Sequence, residues 1–181
     1  MARQIIPFQR GTLEDTPALR KQLEEQRERL KLAIADEDAP ARLRLLGSLG
    51  ETWYLLGNYQ ESLALLGDAL ALARQLKDTR REIANLIRLA TAHQYAGDHS
   101  RAEALFHQAL ELVRTAQQTE YVDFVWQHLG KCLVEMGRLE EARACFEEAL
   151  ACRQVKGDAE LIASTDRALE AVRRDAHEGE S

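Results

Sequence analysis

The chain contains few residues that interrupt a helix, and this scarcity excludes most fold classes. Proline occurs three times in 181 residues, at Pro7, Pro17 and Pro40, so no proline follows residue 40. No stretch shows the alternation of apolar and polar residues that is typical of a half-buried strand. Alanine, leucine, glutamate and arginine, which all favour helix, dominate the sequence. These features predict an all-α protein.

Cysteine and long apolar runs are also scarce. The three cysteines, Cys132, Cys145 and Cys152, form no Cys-x-x-Cys pair, and an odd number of thiols is typical of a reducing cytoplasm. No apolar run approaches the ~20 residues that a membrane span requires. The N-terminus lacks the apolar core of a secretory signal. We therefore expect a cytoplasmic protein that has no membrane partner.

The charge balance argues against a strongly basic surface. The chain carries 24 basic and 30 acidic side chains, a formal net charge of −6, and the two signs are interspersed. Because phosphate backbones are bound by clustered lysine and arginine, this balance argues against nucleic acid as a partner. Arginine is much more frequent than lysine, a bias typical of GC-rich bacterial genomes.

Motifs for catalysis and for cofactors are missing as well. The sequence has no phosphate-binding glycine loop, no nucleophile elbow and no pair of carboxylates that the helical pattern brings together. His99 and His107 are too far apart for metal ligands on one helical face, and His93 occupies a core position. Gly47 and Gly50 lie within a predicted helix and indicate close packing. We expect neither an enzyme, nor a metal site, nor a cofactor.

A forty-residue repeat is the main positive feature of the chain. Three glycines are spaced forty residues apart, at Gly57, Gly97 and Gly137. Each is followed twelve residues later by an alanine, namely Ala69, Ala109 and Ala149. Self-similarity at a period of about 20–50 residues is the signature of stacked repeats. The function of such a protein is usually a surface rather than a pocket.

Helix boundaries follow from capping residues. Thr16-Pro17 starts one predicted helix, and Asn58 with Glu61 forms a capping box at the start of another. The same pattern recurs at two later sites, Thr79 with Glu82 and Ser100 with Glu103. The pattern predicts eight helices joined by turns of about two to four residues, so neighbouring helices are expected to be antiparallel.

Within each unit the residues resemble the tetratricopeptide repeat, whose pattern is W-x2-L-G-x2-Y, then glycine, then A-x3-F, then alanine. The third unit matches best, with Trp126-x2-Leu129-Gly130, Gly137, Ala142-x3-Phe146 and Ala149. Small residues at Gly50, Ala90 and Gly130 are expected to let paired helices approach closely. The long period is similar to that of kinesin light chains, spindle-orientation adaptors and bacterial quorum-response regulators. HEAT-type repeats share the period but lack this pattern.

The resemblance implies a right-handed solenoid of antiparallel helix pairs. We expect an N-terminal arm over 1–14, a capping helix as a degenerate half-repeat over 15–39, three repeats over 40–157, a C-terminal capping helix over 158–175 and a disordered tail over 176–181. Capping helices are expected because an open solenoid end exposes apolar surface.

The resemblance also implies a concave groove, lined by the first helix of each repeat. The residues at the matching positions are Arg44, Ser48, Glu51, Tyr54, Arg88, Thr91, Gln94, Tyr95, Phe124, Gln127, His128, Lys131 and Glu135. Arginine and aromatic residues are frequent anchors of interfaces, although any single one of these residues also fits a solvated helix face. The carboxylate clamp of chaperone-binding members is not matched at Gly47 and Glu51. We predict a non-catalytic adaptor that binds a peptide or helix of another protein.

The N-terminal arm suggests a second hypothesis. Ile5, Ile6 and Phe8 are apolar and precede any predicted helix, and apolar side chains favour burial. We expect the arm to dock either in the groove of its own chain or on a second copy. The alternative function is structural: a homo-oligomeric scaffold that self-associates through the end helices or the arm and has no separate ligand.

Overall fold

The computed structural model of the protein describes residues 8–178, and the regular structure in that range is helical. Eight α-helices and one short 3-10 helix (Thr119–Tyr121) follow one another, with no strand among the described residues. The α-helices are α1 (Pro17–Ala35), α2 (Ala39–Leu55), α3 (Tyr59–Gln75), α4 (Thr79–Tyr95), α5 (His99–Thr115), α6 (Val122–Glu135), α7 (Leu139–Lys156) and α8 (Ala159–Glu178). The predicted all-α class and the eight helices are confirmed.

Side-chain caps start several of these helices. The hydroxyl of Thr16 accepts a hydrogen bond from Leu19 N at 3.2 Å, and Pro17 is the first residue of α1, as predicted. Asn58 caps α3 by accepting a hydrogen bond from Glu61 N at 3.4 Å, also as predicted. Such caps satisfy backbone donors that have no partner within the helix.

Two predicted caps are wrong. The cap of α4 is Asp78, whose Oδ1 accepts a hydrogen bond from Arg81 N at 3.0 Å, and Thr79 is already the first helical residue. Ser100 likewise lies inside α5, which begins at His99. The carboxylate of Asp78 precedes the hydroxyl of Thr79 in the chain, and a charged acceptor binds a backbone N–H more strongly. The backbone hydrogen bond from Arg81 outweighs burial and holds the pKa of Asp78 below its usual range.

The forty-residue period contains two turns with a left-handed residue. The first turn has glycine at the left-handed position. In successive periods this glycine is Gly57, Gly97 and Gly137, where the sequence predicts helix ends. The other uses residues with side chains, Glu37, Lys77 and Gln117, whose φ angles are 55°, 55° and 56°. After α3, Lys77 N donates to Arg74 O at 3.1 Å and Asp78 N donates to Ala73 O at 3.0 Å. These bonds satisfy carbonyl groups at the end of the helix.

The chain divides into two compact units. The N-terminal unit is Gly11–Asp98 and contains α1 to α4. The C-terminal unit is His99–Ser181 together with Met1–Arg10, of which residues 8–10 and 99–178 are described. Within each unit consecutive helices pack against each other, and α2 also packs against α4. The finer division into an arm, two caps and three repeats stays a prediction.

Small residues bring α2 and α3 together in the N-terminal unit. A β-carbon at Gly50 would lie 2.5 Å from Cγ of Leu66, which is fully buried. Ser62 Oγ donates a hydrogen bond to Gly50 O at 2.7 Å across the same contact. The predicted packing role of Gly50 is therefore confirmed. An apolar cluster from the same two helices contains Leu43, Leu46, Ala69, Leu72 and Ala73.

A buried arginine joins the last three helices of the C-terminal unit. Arg153 on α7 is 2% exposed, and it donates to Asp123 Oδ2 at 3.1 Å and to Gln127 Oε1 at 3.0 Å, both on α6. It also donates to Thr165 Oγ1 on α8 at 2.6 Å. Because a buried charge is tolerated only when it is paired and hydrogen-bonded, this network fixes the positions of the three helices.

The last helix is longer than expected. It extends to Glu178, so residues 176–178 of the predicted tail are helical. The predictions for residues 179–181, and those for Ile5 and Ile6, concern positions outside the described residues.

Candidate functional site

In the N-terminal unit, two predicted groove residues form an ion pair on neighbouring helices. Arg88 Nε on α4 donates to Glu51 Oε2 on α2 at 2.8 Å, and both side chains are partly exposed. Exposed ion pairs contribute little to stability, about 0–1 kcal/mol. Each of these side chains is therefore available to a ligand at little cost in folding free energy.

Two tyrosines meet on the same pair of helices. The rings of Tyr54 and Tyr95 are 5.1 Å apart and are inclined at 70° to each other, an edge-to-face contact. Tyr54 is buried, and burial, assisted by the charge of Glu51, raises the pKa of its hydroxyl far above the usual range. Tyr95 is half-buried. Tyr54 is thus a packing residue, whereas Tyr95 presents its hydroxyl at the surface of the unit.

A short non-helical stretch of the chain contacts the C-terminal ends of these two helices. Gly11 N donates to Tyr95 Oη at 2.8 Å, and Leu13 N donates to Leu55 O at 3.0 Å. Residues 11–14 belong to neither a helix nor a strand. Two backbone N–H groups two residues apart are therefore bound by this surface, as in recognition of an extended peptide.

The other predicted groove residues of the N-terminal unit differ in exposure. Arg44 is exposed and Ser48 is half-buried. Thr91 and Gln94 are buried, and Thr91 Oγ1 donates to Ile87 O at 2.8 Å within its own helix. Counting helical positions predicts that Thr91 and Gln94 line the groove, but both side chains are buried in the N-terminal unit.

In the C-terminal unit, Phe124 and Gln127 belong to the arginine network. Gln127 is buried, and its Oε1 accepts from Arg153. Phe124 is exposed, and Cζ of Arg153 and Nζ of Lys156 each lie 5.7 Å from its ring centroid. Such cation–π contacts indicate packing rather than a free anchor.

His128 and Lys131 are on α6 and are both half-buried. The His128 ring stacks on the ring of Phe106 with a centroid distance of 6.2 Å. Burial, then the charges of Lys131 and Arg153, lower the pKa of His128 to about 3, so the imidazole is neutral. Burial and the charge of Arg153 also lower the pKa of Lys131, against the opposing effect of Glu135. Lys131 Nζ donates to Gln9 O at 3.3 Å.

Glu135, at the end of α6, binds the first described residues of the chain. Its Oε1 accepts from Phe8 N at 3.0 Å and from Arg10 Nε at 2.8 Å, and Arg10 Nη2 binds Oε2. His99 Nε2 lies 2.8 Å from the same Oε2. The helical count places Glu135 on the groove side, but no local signal in the sequence pairs it with Phe8, Arg10 and His99.

The Glu135 carboxylate stays ionised although it is buried. Burial alone would raise its pKa, but the hydrogen bonds from Arg10, from Phe8 N and from His99 together lower it below the usual value. An ionised carboxylate that is fully enclosed requires such donors, because burying a charge without a partner is costly.

Metal, thiol and membrane chemistry have little support in the described residues. No group of three or more His, Cys, Asp or Glu side chains that could hold a metal ion occurs between residues 8 and 178. In the same range, no helix combines the length and the apolar character needed to cross a membrane. The three cysteines are free, and burial raises the pKa of Cys132 to about 12 and that of Cys145 to about 11. Thiols of such high pKa are unreactive.

Comparisons with known proteins identify the type of repeat. A family model described as MalT-like TPR region matches residues 20–174, whereas comparison with curated protein sequences gives no match. The crystal structure of BtubC (BKLC) from P. vanneervenii is similar over 89% of this chain and 68% of that chain, with a TM-score of 0.75 and 19% identity. TPR-like repeats of a Podosopora anserina protein described as a kinesin light chain are similar over 90% of this chain and 99% of theirs, with a TM-score of 0.52 and 17% identity. At these identities the likeness shows the fold alone.

Proposed function

Because the chain belongs to the family of MalT-like TPR regions, we propose that it is a non-catalytic interaction module that binds an extended peptide or a helix of a partner protein. The family match confirms the predicted tetratricopeptide resemblance. Repeats of this type generally mediate contacts between proteins and generally act as non-catalytic scaffolds. The binding surfaces we assign are the faces of α2 and α4 in the N-terminal unit and of α6 in the C-terminal unit.

The observation that carries the proposal is the bound stretch at residues 11–14. Gly11 N and Leu13 N donate hydrogen bonds to Tyr95 Oη and Leu55 O, at the C-terminal ends of α4 and α2. These acceptors recognise backbone, so they are suited to any extended segment. Because the helices that carry the acceptors are regular and packed, a partner segment that takes the place of residues 11–14 requires little reorganisation of the helices themselves.

Three side chains of the N-terminal unit are suited to anchor a partner on the faces of α2 and α4. Arg88 and Tyr95 are partly exposed and Arg44 is exposed, and arginine and tyrosine are the residue types that dominate interface energetics. The Glu51 carboxylate pairs with Arg88 in the free protein. An acidic side chain of the partner is expected to replace it.

The cellular setting we assign is the cytoplasm of a bacterium. The free cysteines and the arginine-rich composition support this assignment. An adaptor in that compartment meets its partner in solution.

Affinity capture from the native lysate tests the proposal. Wild type is compared with Arg88→Glu and with Arg29→Glu, a matched charge reversal at an exposed arginine of α1 outside the predicted groove. We expect a partner that wild type and Arg29→Glu retain and that Arg88→Glu loses. Recovery of further copies of the chain alone, together with a concentration-dependent mass insensitive to Arg88→Glu, would instead show the self-associating scaffold.

A further inference from the structure

We propose that Glu135, Lys131 and Phe146 form a recognition site for an extended segment that presents an aromatic residue, then a residue in the left-handed conformation, then an arginine. The chain's own residues Phe8–Arg10, hereafter the arm segment, occupy this site as an internal competitor. The inference rests on the proposed function, because it specifies the chemistry of the partner segment.

The arginine position is defined by the buried carboxylate. Arg10 Nε lies 2.8 Å from Glu135 Oε1 and Arg10 Nη2 binds Oε2, which is a two-point guanidinium–carboxylate pair. The Glu135 side chain is fully enclosed, and that of Arg10 is 14% exposed. Lysine presents a point charge and cannot reproduce both bonds in one plane. The site therefore selects arginine.

The buried Glu135 carboxylate loses most of its hydrogen-bond donors when the arm segment leaves the site. Two of the three groups that donate to Glu135, Phe8 N and the Arg10 guanidinium, belong to the arm segment, and His99 is the third. A buried carboxylate that loses its cation is unstable until water or another cation reaches it. A partner that supplies arginine is therefore favoured over one that supplies only apolar contacts.

The aromatic position is defined by Phe146. The ring centroids of Phe8 and Phe146 are 6.2 Å apart and the rings are inclined at 34°. This distance is within the range of favourable aromatic pairs. Because Phe8 N also donates to Glu135, the aromatic residue is fixed by its backbone and by its ring together.

Gln9, the central residue of the arm segment, has a backbone conformation that another residue type would adopt at lower cost. Gln9 has φ of 49°, in the left-handed region, and its carbonyl accepts from Lys131 Nζ at 3.3 Å. A side chain in this region carries a conformational cost that glycine avoids and asparagine reduces. A partner with glycine or asparagine between the aromatic residue and the arginine is thus better suited to the site than the arm segment itself.

The test uses the full chain and labelled peptides, with binding measured by fluorescence anisotropy. In the protein, Phe8→Ala with Arg10→Ala removes the aromatic ring and the guanidinium from the site and so weakens the competing arm segment; this variant is hereafter the emptied chain. The probes are a peptide with the sequence of residues 6–13, the same peptide carrying Gln9→Gly, and the same peptide carrying Arg10→Gln.

We expect the emptied chain to bind the native peptide about tenfold or more tightly than the Arg10→Gln peptide. The Gln9→Gly peptide should bind roughly threefold more tightly than the native peptide. Wild type should bind every peptide more weakly than the emptied chain, because its own arm competes for the site. Glu135→Gln in the emptied chain should abolish the preference for arginine.

Equal binding of the native and Arg10→Gln peptides, or no binding of either, would overturn the proposal. The comparison of the native and Arg10→Gln peptides tests the proposal even if the Glu135→Gln variant fails to fold. A wild-type dimer that becomes monomeric in the emptied chain would also overturn it, because the arm would then dock on a second copy. A captured partner that is sensitive to Arg88→Glu, with no peptide binding, would remove this inference and leave the proposed function standing.

Discussion

Gly130 on α6 and Phe146 on α7 approach so closely that a β-carbon on the glycine would lie 2.6 Å from Cε1 of the ring. Phe146 is fully buried, so the ring cannot rotate away into solvent. Gly50 and Leu66 show the same relationship in the N-terminal unit. The small residue and the large residue of the repeat pattern are therefore two halves of one contact.

Gly130→Ala is expected to destabilise the protein by about 1–3 kcal/mol, the usual cost of overpacking a core. The measurement is the free energy of unfolding from urea titration. Gly67→Ala is the matched control, since that glycine also lies within a helix, α3, but has no atom within 4 Å of the added carbon. The control should be stabilised by about 0.5–1 kcal/mol through helix propensity. Equal effects at the two sites would contradict the packing argument.

Arg153→Ala is expected to cost about 3–5 kcal/mol, because it leaves the buried Asp123 carboxylate and the Gln127 amide without the guanidinium they bind. Lys156 also binds Asp123, which places the expected cost nearer the lower value. Thermal and urea unfolding both report the loss. Arg114→Ala, which breaks an exposed pair with Glu111, should leave stability unchanged. A small effect of Arg153→Ala would mean that water replaces the guanidinium.

Acidification from pH 7 to pH 5 is expected to destabilise the protein through His128. The folded pKa is about 3, well below the ordinary value of 6.5, so between these values only the unfolded imidazole takes up a proton. Unfolding then binds protons, and the free energy of unfolding falls as the pH falls, by about 1–2 kcal/mol over this range. His128→Gln should flatten that dependence. Parallel pH profiles for the two proteins would show that His128 is protonated in the folded state.

Asp78→Ala is expected to destabilise the protein by about 1 kcal/mol, the usual cost of losing a helix cap. Asp78 Oδ1 accepts from Arg81 N, and Thr79 is the next residue. Thr79→Ala should therefore change stability by less than about 0.5 kcal/mol, since no cap is lost. A larger effect at Thr79 would support the capping box predicted from the sequence. Thermal unfolding distinguishes the two residues.

Local patterns predicted those parts of the fold that depend on neighbouring residues. The close contacts at Gly50 and Gly130 follow from a small residue on one helix and a large residue on the next. Gly57 marks a turn because glycine adopts the left-handed conformation freely. The turns at Glu37, Lys77 and Gln117 have the same backbone but no common residue type. The left-handed residue itself therefore leaves no trace in the sequence, although aspartate follows it at Asp38 and Asp78 and caps the next helix.

The candidate site was predicted less completely, and the reason is separation along the chain. Counting helical positions placed Glu51, Arg88, Lys131 and Glu135 on α2, α4 and α6, which the structure confirms as their helices. Counting helical positions did not predict that Arg44 is exposed whereas Thr91 is buried, because the exposure of a side chain depends on the neighbouring helix. The contact of Phe8 with Glu135 joins residues 127 positions apart. No periodic pattern reports a contact of that span.

That separation has a consequence for the order of events during synthesis. The helices of each unit pack on neighbours that are adjacent or nearly adjacent in sequence, and such local contacts form rapidly. Phe8 and Arg10 leave the ribosome before α6, and Glu135 accepts their hydrogen bonds only after α6 has emerged. Closing so long a loop is entropically slower than pairing neighbouring helices. Each newly made chain therefore passes through an interval in which the Glu135 carboxylate lacks the hydrogen bonds from Phe8 and Arg10.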